Sequence, residues 1–369
     1  MRFIHLADVH LGAVPDRGYP WSARRQEEIW DTFRQVIATI REESVDFLLI
    51  AGDLFHGQPL LQELREVSAL FEQIPQTRVF VMAGNHDYLK EDSAYRRFTW
   101  PDNVYFFSGE KPERVKDPLL PVYIYGLSYE HQEITQALYE ELVPWSDQEE
   151  FQIKEEDQEP FEEFHILLAH GGDARHIPID LRAISRSGFD YIALGHIHKP
   201  QILIRDRAAY SGALEPLDRN DTGEHGYIVG WTQKGILRTR FVPAARRSYV
   251  DLVVDVTPED TQVSLEEQVQ TRVRSEGAGN IYRIILNGFR APEQMFIPER
   301  LKRLGNVLEI QDNTKPHYEL KELYNAYRST LIGDYIASFF PEAIGRSDDW
   351  DPVEEKALFY GLQALLETH

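Results

Sequence analysis

Five short polar segments, each placed directly after an apolar run, constrain the fold of this chain more than any other feature. Residues 47–50 (Phe-Leu-Leu-Ile) and 191–194 (Tyr-Ile-Ala-Leu) are typical of such runs and favour strands buried on both faces. Polar residues where buried strands end meet at one edge of a sheet, and α/β proteins build their sites there. The segments are Asp8-Val9-His10, Gly52-Asp53, Gly84-Asn85-His86-Asp87, Ala169-His170-Gly171 and Gly195-His196-Ile197-His198.

The donor groups in these segments predict a site for two metal ions. Carboxylates, one amide oxygen and neutral imidazoles suit Mn2+, Fe2+ or Zn2+. Their number suffices for two ions about 3.5–4 Å apart, a spacing that activates water and clamps a phosphate. Asp53, in its Gly-Asp turn, is the natural bridge. Each segment alone occurs by chance in many proteins, but five in this order favour a metal pair over scattered capping aspartates and core histidines.

At this point the chain resembles the calcineurin-like metallophosphoesterases, whose motifs run Asp-x-His, Gly-Asp, Gly-Asn-His-Asp/Glu, His and Gly-His-x-His. Residues 8–12, 51–56 and 193–201 are similar to the DNA-repair nuclease branch, the SbcD family, and among bacterial members to the YhaO type. The resemblance covers roughly residues 1–245 and weakens afterwards. It implies an α/β fold with two stacked mixed β-sheets flanked by helices, the four-layer sandwich of this family.

The resemblance also implies the metal ligands, position by position. One ion would be held by Asp8, His10, Asp53 and His198. The other would be held by Asp53, Asn85, His170 and His196. Mn2+ is the expected metal, with Fe2+ or Zn2+ as alternatives, because the set contains no thiolate and leaves positions for water and substrate.

Three further residues are candidates for catalysis. His86 matches the family's non-ligand histidine, which protonates the departing oxygen; the alternative is a ligand or a packed histidine. Asp87 is expected to be the partner that fixes the tautomer of His86. His56 matches a histidine of many repair nucleases, and a phosphate contact and a surface position are equally open for it.

The charge of the chain has the wrong sign for a protein that grips DNA alone. With 61 acidic and 39 basic residues the net charge is −22. The acidic stretch at residues 130–163, whose one basic residue is Lys154, favours a solvated helix and loop. Divalent cations invert the potential locally, so phosphate binding remains compatible with this charge. We therefore expect another subunit to supply much of the DNA grip.

Composition points to a reducing compartment without membrane insertion. The chain has no cysteine, which excludes disulfides and thiolate metal sites. It has no long apolar span, and residues 1–5 favour a strand rather than a leader. We expect a cytoplasmic protein.

Three domains are expected from the pattern of strands and helices. Residues 1–245 alternate predicted strands (2–7, 46–51, 78–82) with predicted helices (24–41, 61–71), as a metallophosphoesterase domain would. Residues 246–318 favour a small α/β lobe where relatives carry a capping domain that helps to seat DNA. Its basic residues could contact phosphates or only water; they are Arg246, Arg247, Arg300, Lys302 and Arg303.

Residues 319–369 favour C-terminal helices with apolar stripes. Apolar residues from Tyr324 to Phe339 recur at helical spacing up to Pro341, and a second helix starts at Asp351 as N-cap with Pro352 in its first turn. The stripe packs either on the chain's own core or on a partner. In relatives this region binds an SbcC-like coiled-coil ATPase. For this chain the expected partner is an ATPase of that kind, similar to YhaN, and a homodimer is the other expected assembly.

These observations predict a two-metal-dependent phosphodiesterase that hydrolyses DNA. It would be the nuclease subunit, as exonuclease or endonuclease, of a double-strand-break repair complex with an SbcC-like ATPase. One alternative is a phosphoesterase acting on small nucleotides or other phosphodiesters, because a fold serves many substrates. The other is a non-catalytic scaffold, which would be expected to have lost ligands or His86, whereas every one is present.

Overall fold

The structure, a computed structural model, describes residues 1–140, 142–144, 163–233, 235–339 and 351–367. The acidic stretch predicted as a helix and loop lies largely outside the described residues, as does Pro341. The chain divides into two compact units, Met1–Tyr249 and Val250–His369.

The first unit contains twelve strands and three helices among its described residues. In chain order the strands are β1 (Arg2–Leu6), β2 (Phe47–Ala51), β3 (Arg78–Met82), β4 (Val104–Phe106), β5 (Glu113–Lys116), β6 (Val122–Gly126), β7 (Phe164–His170), β8 (Tyr191–Gly195), β9 (Gln201–Ile204), β10 (Ala208–Tyr210), β11 (Gly226–Gln233) and β12 (Ile236–Pro243). The helices are α1 (Ser22–Glu43), α2 (Leu61–Phe71) and α3 (Leu181–Arg186).

The strands form two mixed sheets of six strands each. The first has the order β12-β11-β1-β2-β3-β4, in which β1 to β4 are parallel and β11 and β12 form an antiparallel edge. The second has the order β5-β6-β7-β8-β10-β9, with parallel strands in the middle and antiparallel strands at both edges. Carboxyl ends of the central strands therefore lie along one edge of each sheet.

Both faces of the central strands are buried, which explains their continuous apolar runs. In β2, Phe47 and Leu49 join a cluster shared with Ile166 and Tyr191 of the second sheet, while Leu48 packs with residues of α1 and α2. The outer face of the second sheet is covered by a third cluster that includes residues of α3 and nearby loops. The predicted α/β fold with two stacked mixed sheets flanked by helices is confirmed.

The second unit has its own small sheet. Its elements are β13 (Tyr249–Val256), α4 (Gln262–Glu276), β14 (Ile281–Arg290), α5 (Pro298–Leu301), β15 (Asn306–Asp312) and β16 (Lys315–Pro316), followed by α6 (Leu320–Ala326), α7 (Leu331–Phe339) and α8 (Pro352–Glu367). The order is β13-β14-β15, and β16 also pairs with β14. Leu265, Val269 and Val273 of α4 pack on this sheet and close its core.

The C-terminal region departs from one expectation. The continuous helical period from Tyr324 to Phe339 is divided into α6 and α7, because Thr330 turns the chain with its hydroxyl bonded to the carbonyl of Tyr327. The apolar stripe of α8 packs on α7 through a cluster of four buried residues, Ile332, Ile336, Leu358 and Leu362. Part of the predicted stripe is thus covered within its own unit. Among the described helices none is both long and apolar enough to cross a membrane.

Candidate metal centre

The five polar segments converge because their strands are neighbours. The first sheet carries Asp8, His10, Asp53 and Asn85 on the loops after β1, β2 and β3. The second sheet carries His170, His196 and His198 at the ends of β7 and β8. The backbone N–H of His196 donates to both oxygens of the Asp8 carboxylate, at 3.1 and 2.9 Å, and so joins the two sheets at the site.

One set of donors surrounds His10. Its Nε2 lies 3.1 Å from Nε2 of His198 and 3.8 Å from Oδ2 of Asp53. Donor atoms of Asp8, His10 and His198 all lie within 4.8 Å of one another. These are the four residues that the family resemblance assigns to one ion.

The second set surrounds Asn85. Its Oδ1 lies 2.9 Å from Nε2 of His170 and 3.0 Å from Nδ1 of His196. Nε2 of His170 is also 3.4 Å from Oδ2 of Asp53. A single oxygen of Asp53 therefore faces both sets, as a bridging carboxylate would. All seven predicted ligands are brought together.

The donors fit divalent cations in chemistry and spacing. Separations of about 3 Å between facing nitrogen and oxygen atoms are those of neighbouring ligands on one ion with bonds of about 2.1 Å. Burial raises the pKa of Asp8 to about 6. Burial also raises the pKa of Asp53, but His170 and the other nearby histidines outweigh it and hold that pKa well below its usual range. Two fully buried carboxylates are stabilised by neighbouring positive charge, which protonated imidazoles or bound divalent cations can supply.

The backbone is adapted to hold these side chains. Among the described residues eight non-glycine residues have positive φ, and four of them are candidate ligands: Asp8, His10, Asp53 and His196. Such conformations are costly for side-chain-bearing residues and gather at functional sites. Gly52 has φ +87°, and a Cβ there would overlap the ring of His170. The turn before Asp53 therefore requires glycine.

The three catalytic candidates lie beside the ligands. The His86 ring packs edge-on against His10, with centroids 4.8 Å apart, and stacks on His56 at 5.3 Å. Both His56 and His86 are exposed. His86 Nδ1 lies 3.2 Å from the carbonyl oxygen of His56, and its backbone N–H donates to Asp53 Oδ1 at 2.9 Å.

The expected partnership of Asp87 with His86 is corrected by the structure. The Asp87 carboxylate is buried and accepts hydrogen bonds from the backbone N–H groups of Phe55 and Gly84 and from the hydroxyl of Tyr95. It ties the loops after β2 and β3 together. The carbonyl of His56, not Asp87, contacts the imidazole of His86.

Several contacts of the ligands could not be found from the sequence. Asp221 Oδ2 lies 3.1 Å from Nδ1 of His198, and Asp173 Oδ2 lies 2.9 Å from Nε2 of His196. The hydroxyl of Tyr129 donates to the carbonyl of His170. These residues stand in loops without a motif of their own, so only tertiary contacts identify them.

Two of the basic residues proposed for phosphate contact are engaged elsewhere. The Arg247 guanidinium is buried and bonds to Glu28 at 2.8–2.9 Å. The Arg300 guanidinium pairs with Glu266 at 2.6 Å. Each of the two side chains therefore pairs with a carboxylate of its own unit.

Comparisons with known proteins agree with this site. Residues 1–200 match the family described as calcineurin-like phosphoesterase. The chain is 30% identical to the uncharacterized metallophosphoesterase YhaO of Bacillus subtilis, over 96% of this chain and 89% of that protein. It is 31% identical to the DNA double-strand break repair protein Mre11 of Methanocaldococcus jannaschii, over 95% of this chain and 96% of that protein. The Mre11 protein of Methanopyrus kandleri is 26% identical, with 80% and 67% covered.

Proposed function

The chain belongs to the calcineurin-like phosphoesterase family, and we propose that it is a two-metal-dependent phosphodiesterase that hydrolyses DNA. The predicted family and its DNA-repair nuclease branch are confirmed by the relatives. The observation that carries the proposal is the convergence of seven candidate ligands and His86 in a chain similar over 95% of its length to a DNA double-strand break repair protein. A non-catalytic scaffold would be expected to have lost metal ligands or His86, and this chain has all of them.

We propose that each of the two donor sets holds one ion. Asp8, His10, Asp53 and His198 would hold one, and Asp53, Asn85, His170 and His196 the other. Two divalent cations, Mn2+ in our proposal, supply charge that stabilises a phosphate in its transition state and lower the pKa of water.

His86 is proposed as the proton donor to the departing oxygen. Its Nδ1–H donates to the carbonyl of His56, so Nε2 is the ring nitrogen that can exchange a proton with a substrate. The hydrogen bond from its backbone N–H to Asp53 holds the loop against the carboxylate that the two donor sets share. The exposed ring of His56, stacked on His86, is placed to contact a substrate phosphate.

Productive DNA binding is proposed to need a partner. The net charge of −22 opposes DNA binding, and α7 and α8 of the second unit expose Leu331, Val353 and Tyr360. We propose that residues 246–318 act as a capping domain and that residues 319–369 bind an SbcC-like ATPase. The chain would then be the nuclease subunit of a double-strand-break repair complex.

One set of assays tests the function. Purified protein, exhaustively chelated and then reloaded with Mn2+, is tested on linear duplex DNA, single-stranded DNA and bis-p-nitrophenyl phosphate. The chelated protein should be inactive, and Mn2+ should restore DNA cleavage best. Hydrolysis of the small phosphodiester alone, with DNA untouched in the presence and absence of a co-purified ATPase, would favour the small-substrate alternative. Full nuclease activity after chelation would refute the two-metal mechanism.

Three variants separate chemistry from metal binding. His86→Ala should lower turnover about a hundredfold or more, the usual scale for a general acid, with the metal content unchanged. Asp53→Ala should lose metal as well as activity. His131→Ala is the control, because that exposed histidine contacts Glu110 instead. Loss of metal in His86→Ala would make His86 a ligand and overturn its proposed role.

A further inference from the structure

We propose that Asp173 and Asp221 are positioning residues that select which ring nitrogen of His196 and His198 faces the metal pair. The inference rests on the proposed function and deepens it. Both aspartates lie outside the family motifs found in the sequence, and each contacts one histidine of the Gly-His-x-His segment.

His198 is held through its Nδ1. That nitrogen lies 3.1 Å from Asp221 Oδ2, and Nε2 of the same ring lies 3.1 Å from Nε2 of His10, in the first donor set. A carboxylate can only accept, so Nδ1 carries the hydrogen. A neutral imidazole has a single N–H, and the lone pair of Nε2 is then left for a cation.

His196 is held through its other ring nitrogen, Nε2. Its Nε2 lies 2.9 Å from Asp173 Oδ2, and its Nδ1 lies 3.0 Å from Asn85 Oδ1, in the second donor set. Here the hydrogen belongs on Nε2 and the lone pair on Nδ1. Two histidines separated by one residue thus present different nitrogens, and a different aspartate sets each choice.

The two aspartates are themselves held in place. Asp221 Oδ2 also accepts the backbone N–H of Leu217 at 2.9 Å. Asp173 Oδ1 accepts the backbone N–H groups of Arg175 and His176 at 2.7 and 2.8 Å. Carboxylates fixed by backbone donors hold an imidazole with little loss of side-chain entropy when metal binds.

A rival interpretation is a third cation site. Donor atoms of Asp173, His176 and His196 lie within 4.8 Å of one another. Such a site would need the lone pair of His196 Nε2, whereas a neutral His196 that serves the second donor set through Nδ1 carries its hydrogen on Nε2. Positioning is therefore the better account, and the third ion becomes an outcome of the test.

The test measures metal binding rather than turnover. Chelated full-length protein is titrated with Mn2+ by calorimetry, and electron paramagnetic resonance distinguishes a coupled pair from a single ion. The variants are Asp221→Asn, Asp221→Ala, Asp173→Asn and Asp173→Ala. Asp218→Asn and Asp180→Asn are matched controls, because those aspartates accept the backbone N–H of Asn220 and cap α3, respectively.

We expect wild type and controls to bind two Mn2+ as a coupled pair. Each site variant should bind one of the two ions about 10–100-fold more weakly, with a matching loss of the coupled signal. Alanine should have the larger effect, because the asparagine amide oxygen can still accept the hydrogen bonds. A merely structural role would lower the melting temperature of the chelated protein without weakening one ion selectively.

The outcomes are distinguishable. Wild-type affinity for both ions in every variant would overturn the inference while leaving the proposed function intact. A third Mn2+ in wild type that Asp173→Asn loses would replace positioning by ligation at Asp173. If an alanine variant fails to fold, the corresponding asparagine variant decides. Failure of the wild type to bind two ions would instead refute the proposed function.

Discussion

Replacing His5 by glutamine should reduce the amount by which the free energy of unfolding of this protein falls at acid pH. His5 lies on β1, is fully buried, and its Nδ1 is 3.0 Å from the hydroxyl of Tyr191 on β8, so that it joins the two sheets. Burial lowers the pKa of His5 from 6.5 to about 3. The folded protein therefore favours the neutral form of the His5 ring.

The sign and size of the effect follow from proton linkage. Below pH 6.5 the unfolded chain binds a proton at His5 that the folded chain does not, so the free energy of unfolding falls as the pH falls. The contribution is complete above pH 6.5 and is lost progressively down to about pH 3. A pH of 5 lies 1.5 units below the pKa of 6.5 that the histidine has in the unfolded chain, and about 1.36 kcal/mol per pH unit gives a loss of about 2 kcal/mol of unfolding free energy.

Urea unfolding of the chelated full-length protein at pH 7 and pH 5, followed by circular dichroism, measures this loss. Other groups titrate in both proteins, so the quantity of interest is the difference between wild type and His5→Gln. The free energy of unfolding of wild type minus that of His5→Gln should fall by about 2 kcal/mol from pH 7 to pH 5. Tyr191→Phe is the control: it removes the hydroxyl but keeps the titrating ring, and should retain the wild-type dependence on pH. An equal fall in the free energy of unfolding of wild type and His5→Gln from pH 7 to pH 5 would refute the reasoning.

Three other perturbations have defined outcomes. Arg25→Met should cost about 3–5 kcal/mol of unfolding free energy in urea, because it leaves the buried carboxylate of Glu215 without its guanidinium partner, while Glu28 keeps Arg247; the two exposed ion pairs removed by Arg34→Met should together cost under about 1 kcal/mol, and equal losses would contradict this. Gly52→Ala should lower the bound Mn2+ below two ions per chain by metal analysis, whereas Gly57→Ala, which faces open space, should keep both. Deleting residues 321–369 should abolish co-purification with the ATPase and leave hydrolysis of bis-p-nitrophenyl phosphate nearly unchanged; aggregation or metal loss would show that these helices support the enzyme's own core.

Local pattern was enough to predict much of the fold. The predicted segments 61–71 and 78–82 coincide with α2 and β3. Short runs of large apolar residues favour strands covered on both faces, and the turn residues that follow mark where each strand stops. The polar residues at those ends carry the resemblance to the calcineurin-like metallophosphoesterases, and that resemblance implies both donor sets.

Other features depended on how distant segments pack. The partner of Asp87 is Tyr95 rather than His86, because the loops after β2 and β3 close over that carboxylate. The helical period from Tyr324 to Phe339 could not show the turn at Thr330.

Sequence by itself determined which residues could bind metal, because donor chemistry belongs to the side chain and strand ends are marked by local apolar runs. Only the tertiary structure decided which ring nitrogen of His196 and of His198 faces the other candidate ligands. That choice rests on Asp173 and Asp221, which reach His196 and His198 across gaps of about two dozen residues. Hydrogen bonds of this kind depend on which loops the fold brings together, such as the loops after the neighbouring strands β7 and β8, and no periodicity along the chain records them.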